Sequence, residues 1–421
     1  MSGPLRLGTV LAVLLLSGST LQAADSVLDS LLAVALKNNP ELNSARQVEQ
    51  AAIHDSRSAG ALPDPTLSVA AMNMPRGSFI LDEAMMSGIG LGIHQMIPWP
   101  GKLRARTEFA GLLGQQQHQS TRAVGNRLIR EVSKAYYEYS YWRLAQNLIA
   151  ENLDLARATA EAAETRYAHG GGPAHDAFGS LSASARLEVR WIESEERVAA
   201  AEFRLMQLLG DTTRLGELTP SLPMPAVVDT TVGADVSANP MVTQSELEVE
   251  KANTGLKLAR SGYWPDISLG LKYLIRDEIP MDASLGKDWW SLEVGVTVPL
   301  WFFAKQRHRT AASRERLEAA RAARLDVRQI VQREARDIRR MLTTLSRSLA
   351  IYDSSIVPQA SATFESAQVS YEVGKVDFNS LLDAQMTRFD VGMERLELLK
   401  QLNQKAAELQ EIIGIGYQVE S

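Results

Sequence analysis

The chain has 421 residues, with 44 basic and 50 acidic side chains, six histidines and no cysteine. A net charge of −6, with no Lys/Arg stripe interleaved with aromatics, gives no footing for nucleic acid. The missing cysteine removes a thiol nucleophile, an iron–sulfur centre and a lipid carried on an N-terminal cysteine, and with six histidines it argues against a structural zinc site.

Residues 1–23 read as a secretory signal peptide. Arg6 precedes an apolar run from Val10 to Leu16, and Ala23 places a small residue at a cleavage boundary. That run is short for a hydrocarbon layer of about 30 Å. No later segment is long and apolar enough to span as a helix, so any crossing of a membrane falls to strands.

The remainder states one pattern twice. Asn39-Pro40, a helical stretch and Pro65 return as Asn239-Pro240, a helical stretch and Pro265. The first repeat, 24–210, is read as a helix over 31–60, strands 66–72 and 86–96, a long helix 102–168 and a return helix 176–209. A Pro- and Thr-bearing connector covers 211–236. The second repeat, 237–413, holds a helix 240–262, strands 266–275 and 289–299, a long helix 305–371 and a return helix 379–412. Residues 414–421 form a tail.

Each strand alternates large apolar residues with small or polar ones, so each has one greasy face. Leu67 and Val69, then Ile89, Leu91 and Ile93, mark that face in the first pair. Ile267, Leu269, Leu271 and Tyr273, then Leu292, Val294 and Val296, mark it in the second. The opposite face carries Gly88, Gly90, Gly92, His94, Lys272 and Glu293, as a water-filled barrel lumen would. A soluble sandwich produces the same alternation. Trp99, Trp264, Trp289 and Trp290 lie at or beyond strand ends, where an aromatic girdle would sit. Four strands cannot close a conducting barrel, and open edges cannot face lipid, so a lipid-facing sheet requires several chains.

The long helices are rich in Ala, Leu, Gln, Glu and Arg. Each spans roughly 100 Å at 1.5 Å per residue. Both end in Tyr-x-x-Gly, at Tyr167 to Gly170 and Tyr371 to Gly374, where glycine suits a left-handed cap. On the last return helix Asp383 is a gate candidate, because copies of it around an axis would form a carboxylate ring. Asp377 and Asp390 are nearby alternatives. His169, His175 and Asp176 beside the first tip form a weak metal set lacking a third strong ligand. No phosphate-binding, zinc-protease or nucleophile-elbow motif occurs, and no cofactor is expected.

In their order, these landmarks resemble the TolC family of outer-membrane efflux ducts. The likeness rests on the paired Asn-Pro starts, Leu62-Pro63-Asp64-Pro65 with Tyr263-Trp264-Pro265-Asp266, and Gln95-Met96-Ile97-Pro98-Trp99-Pro100-Gly101-Lys102. It also rests on the two tips and on Leu381-Leu382-Asp383-Ala384-Gln385. It implies a homotrimer in which four strands per chain build a twelve-stranded membrane β-barrel above a long α-helical barrel. It implies an outer-membrane location in a Gram-negative bacterium, with a periplasmic extension, lipid around the strands and passage without a chemical step. The tips, marked by Tyr167, Gly170, Tyr371, Gly374 and Lys375, would meet a periplasmic adaptor joined to an inner-membrane pump of the resistance-nodulation-division type. Asp383 matches a gate aspartate, while Ser380 stands where some members carry a second acid. Gly179 takes the place of Asp383 in the first repeat. Ile97 to Lys102 looks most like the heavy-metal branch, which exports cobalt, zinc and cadmium or copper and silver. The competing reading is a soluble or surface coiled-coil scaffold or adhesin without transport.

Overall fold

The structure, a computed structural model, describes residues 27–74, 76–77, 81, 87–210, 218–225, 235–277 and 287–417. The signal peptide, much of the connector and most of both inter-strand loops lie outside the described residues. Helix α1 covers 27–38 and α2 Pro40–Ser58, so the helix expected over 31–60 is two helices that meet at Asn39. Proline has no N–H to donate, which makes it a first-turn residue. Asn39 supplies the cap. Its Oδ1 accepts from the N–H groups of Glu41 and Leu42 at 3.0 and 3.1 Å. Its Nδ2 donates to the Leu208 carbonyl at 3.0 Å, which ties the start of the repeat to the end of its return helix.

The second repeat is built the same way. Asn239 accepts from Met241 N–H at 2.8 Å and donates to the Ile412 carbonyl at 2.7 Å. The two return helices, α4 (Ala174–Leu209) and α8 (Phe378–Ile413), end in left-handed glycines, Gly210 and Gly414. A Cβ at Gly210 would lie 2.7 Å from the Asn38 carbonyl oxygen, and one at Gly414 would collide with that of Ala238. Glycine is needed there for the backbone angle and for the close approach.

The chain forms two compact units. One comprises 47–120 and 243–327 and contains the sheet. Its strands are β1 (Thr66–Met72), β2 (Gly88–Ile97), β3 (Asp266–Ile275) and β4 (Trp289–Thr297), antiparallel and in that order. Ser68, Gly92, Lys272 and Ser291 run in register across it. β1 and β4 are both edges. Below the sheet, the two quoted Trp-Pro motifs meet. Lys102 Nζ lies 2.8 Å from the Asp266 carboxylate and donates to the Trp264 carbonyl at 2.9 Å. Trp99 N–H donates to the same carboxylate at 2.9 Å, and the Trp99 and Trp264 rings stack 4.9 Å apart. Helices α3 (Pro100–Ala168) and α5 (Pro240–Ser261) are then joined by Glu108, which accepts from Thr254 and Lys257 at 2.9 Å each.

The other unit comprises residues up to 46, 121–242 and 328 onward, and its described residues hold helices joined by turns and extended segments, with no strand. Its largest core packs Leu31, Ala35 and Leu42 against Val132, Tyr136, Leu205 and Leu209. Tyr417, from the expected tail, is buried in this core, and its hydroxyl accepts from the Arg46 guanidinium at 3.0 and 3.1 Å. The helix expected over 305–371 is α6 (Gln306–Ile351), a π-turn at Tyr352–Ile356 and α7 (Val357–Glu372). Pro358 stands two residues beyond the π-turn, in the first turn of α7. The widened turn absorbs the hydrogen bond that proline cannot make. Among the described residues no helix is long and apolar enough to cross a membrane.

Candidate functional site

Three features carry the sequence-predicted residues. The first is the sheet. Register places Gly88, Gly90, Gly92, His94, Lys272 and Glu293 on one face. A Cβ at Gly90 would lie 2.9 Å from Lys272 Cε, and one at Gly92 2.6 Å from Ser68 Oγ. The glycines therefore make room for the polar chains of neighbouring strands. On the other face Leu67, Val69, Trp290 and Leu292 are 65–77% exposed, a run of uncovered apolar side chains of the kind that marks a membrane or protein contact.

The second feature is the pair of helix tips. At the first, Gly170 has φ +73°, its N–H donates to Tyr167 O at 2.9 Å, and Gly171 N–H donates to Arg166 O at 2.8 Å. At the second, Gly374 has φ +72°, its N–H donates to Tyr371 O at 3.1 Å, and Lys375 N–H donates to Ser370 O at 2.8 Å. Both are Schellman caps. The structure brings the two tips together: the Arg166 guanidinium lies 4.9 Å from the Tyr371 ring centre, which meets the Phe378 ring edge-on at 6.0 Å. Tyr167, Gly170, Gly374 and Lys375 are exposed, whereas Tyr371 is half-buried in this stack.

The third feature is α8. Leu381, Ala384 and Gln385 are buried, and the Gln385 amide donates to the Asn152 carbonyl at 3.3 Å. Helical spacing then turns Ser380, Asp383, Thr387, Asp390 and Glu394 outward as one exposed stripe. Asp383 enters no ion pair among the described residues. Ser380 is committed to the helix start: its N–H donates to the Asp377 carboxylate at 3.0 Å, and its hydroxyl donates to the same oxygen. These bonds, the hydroxyl's foremost, hold the Asp377 carboxyl below its usual range.

Three further contacts join α8 to its neighbours. Arg190 of α4 reaches Asp390 at 3.6 Å. Asp353 of the π-turn takes Arg395 at 2.6 Å, and Tyr352 donates to Glu394 at 2.7 Å. That hydrogen bond raises the Tyr352 phenol above its ordinary value. The pairs escaped the sequence reading because their members stand 42 to 200 residues apart. His169 Nδ1 lies 2.8 Å from the Thr165 carbonyl, and His175 lies 3.2 Å from Asp176. Among the described residues no group of three or more His, Cys, Asp or Glu could hold a metal ion. Gly179 faces the Phe378 ring, so the first repeat offers no carboxylate opposite Asp383.

Residues 31–211 and 236–415 match the family described as outer membrane efflux protein, one match for each repeat. The chain belongs to that family. It is an outer-membrane efflux channel component, with the TolC-like duplicated fold. The cobalt-zinc-cadmium resistance protein CzcC of Cupriavidus metallidurans is 23% identical over 399 residues, covering 93% of this chain and 91% of that one. Among solved structures, CusC superposes with a TM-score of 0.77 at 17% identity, over 93% of this chain and 92% of that chain. VceC from Vibrio cholerae superposes with a TM-score of 0.78 at 17% identity, over 93% and 97%. The open-state MtrE channel of Neisseria gonorrhoeae superposes with a TM-score of 0.73 at 16% identity, over 94% and 91%. These likenesses are of fold.

Proposed function

We propose that three copies of this chain close a twelve-stranded barrel in the outer membrane and continue it as a helical duct into the periplasm. The duct couples through its tips to a periplasmic adaptor and an inner-membrane pump of the resistance-nodulation-division type. The observation that carries the reading is the sheet. It has an exposed face that is apolar over most of its area and an unpaired strand at each edge, so lipid can surround it only when neighbouring copies pair β1 with β4. Residues 1–23 direct export from the cytoplasm.

The duct passes solute without a chemical step. Energy comes from the pump, and the chain supplies a path and a gate. The resting gate is the α8 stripe, with Asp383 lining the passage and the Arg190–Asp390, Arg395–Asp353 and Tyr352–Glu394 contacts holding α8 in place. The cargo is heavy-metal cations, a reading supported by the CzcC likeness. Cells lacking the gene should accumulate and be poisoned by cobalt, zinc or cadmium, with rescue by the intact chain. Equal tolerance of all three metals, with sensitivity to organic toxicants instead, would reassign the cargo. In planar bilayers the purified protein should conduct, and Asp383→Ala should raise cation conductance or alter its selectivity. Unchanged currents would remove Asp383 from the gate.

A further inference from the structure

The segment that leaves β4 is more apolar at its surface than a helix start requires. Leu300, Trp301 and Phe303 are 73, 76 and 67% exposed, and they extend the exposed apolar row made by Trp290, Leu292, Val294 and Val296 of β4 and by Val298 just beyond it. The segment is anchored to α6, because Lys305 N–H donates to Trp301 O and Arg307 N–H to Phe302 O, each at 2.9 Å. Lys305, just before α6, and Arg309, in its first turn, stand one helical turn apart and on one side. With Leu300 and Trp301 they line a groove of about 1240 Å³. Neither cation has an ion pair or side-chain hydrogen bond among the described residues. The two acids of the same groove are each taken by another lysine of its lining, Asp266 by Lys102 and Glu248 by Lys251.

We infer that this corner binds an anionic phospholipid of the leaflet nearer the helices. Its acyl chains lie on Leu300, Trp301 and Phe303, and its phosphate sits between Lys305 and Arg309. The inference rests on the membrane reading above. Two observations select this occupant. The apolar shelf is continuous with the lipid-facing side of β4, and uncompensated positive charge begins where that shelf ends. Aromatic rings at the headgroup level followed by snorkelling cations are the arrangement that an anionic interface favours.

The full chain would be reconstituted in nanodiscs of phosphatidylcholine containing a minor share of phosphatidylglycerol. Lipids retained on extraction would be counted by native mass spectrometry, which also reports assembly. Phosphatidylglycerol should be enriched about tenfold over its share, from the attraction of two cations to an anionic headgroup. Lys305→Gln with Arg309→Gln should bring it to parity. Arg307→Gln, outside the groove lining, should leave the enrichment intact. Parity in the unaltered protein would overturn the inference, as would enrichment that survives the double change or is lost equally in Arg307→Gln. Arg309→Cys cross-linking between copies would show a second chain filling the groove and would also overturn it. Insertion without enrichment defeats this inference alone, whereas failure to enter nanodiscs defeats the membrane reading with it.

Discussion

Gly374 and Gly170 hold backbone angles that other residues adopt only under strain. Nothing lies within 4 Å of the Cβ that either would gain, so the cost of a side chain is conformational alone. Gly374→Ala should destabilise the second tip by about 1 kcal/mol. Hydrogen exchange should speed up around Tyr371–Phe378, while assembly of the barrel is unchanged. If the tips dock the adaptor, the same change lowers export in cells. Asp377 gives a pH signature at the same place. Its folded pKa is depressed below the unfolded value of about 3.9. Its contribution is therefore full above that value and is lost as pH falls through the folded pKa. Acidification below about pH 4 should fray the first turn of α8, seen as faster amide exchange at Ser380. Asp377→Ala should show the frayed exchange already at neutral pH, with no further acid step.

At the level of elements, each strand has two chemically distinct sides, and substitutions should sort by side. Leu269 is on the apolar face and Lys272 on the glycine-rich one. Leu269→Arg should cost about 2–4 kcal/mol in a lipid bilayer, the range for arginine near the midplane of a membrane barrel. Lys272→Gln should cost far less, because its face remains solvated. Denaturant titration of the barrel in lipid vesicles would compare the two, and equal losses would contradict the assignment of faces. The helices sort in a similar way. α8 buries Phe378, Leu381, Ala384, Gln385 and Phe389 along one side and exposes Asp383, Asp390 and Glu394 along the other. The contacts of Asp353 and Glu394 with Arg395 and Tyr352 tie that exposed side to the π-turn ahead of Pro358. A double change, Asp353→Asn with Glu394→Gln, should lengthen open times in bilayer recordings, and unchanged gating would release these contacts from that role.

For the whole molecule, the exposed face of the sheet and its two free edges set the state in which the chain can exist. One copy leaves two rows of unpaired backbone groups, which cost several kcal/mol each in hydrocarbon. Detergent-solubilised protein should therefore have the mass of three chains, and removal of detergent should precipitate it. A stable monomer in plain buffer, with all four strands formed, would contradict both the lipid-facing sheet and the duct built on it.

Local chemistry placed much of this architecture. Period-two alternation located β1 and β3 at 66–72 and 266–275, and it brought β2 and β4 within two residues of their observed ends, because a strand's pattern depends only on neighbours two positions away. The repeated Asn-Pro and Tyr-x-x-Gly landmarks likewise record caps and turns whose geometry is settled within one helical turn. Other features depend on partners far along the chain. Asn39 ties the start of the repeat to its return helix because its amide meets Leu208, and Lys102 matters to the base of the sheet because it meets Asp266. Arg190 and Asp390 look like ordinary surface charges until α4 and α8 are packed together. Periodicity reports which side of an element is buried. Which charge meets which is set by distances that exist only after folding.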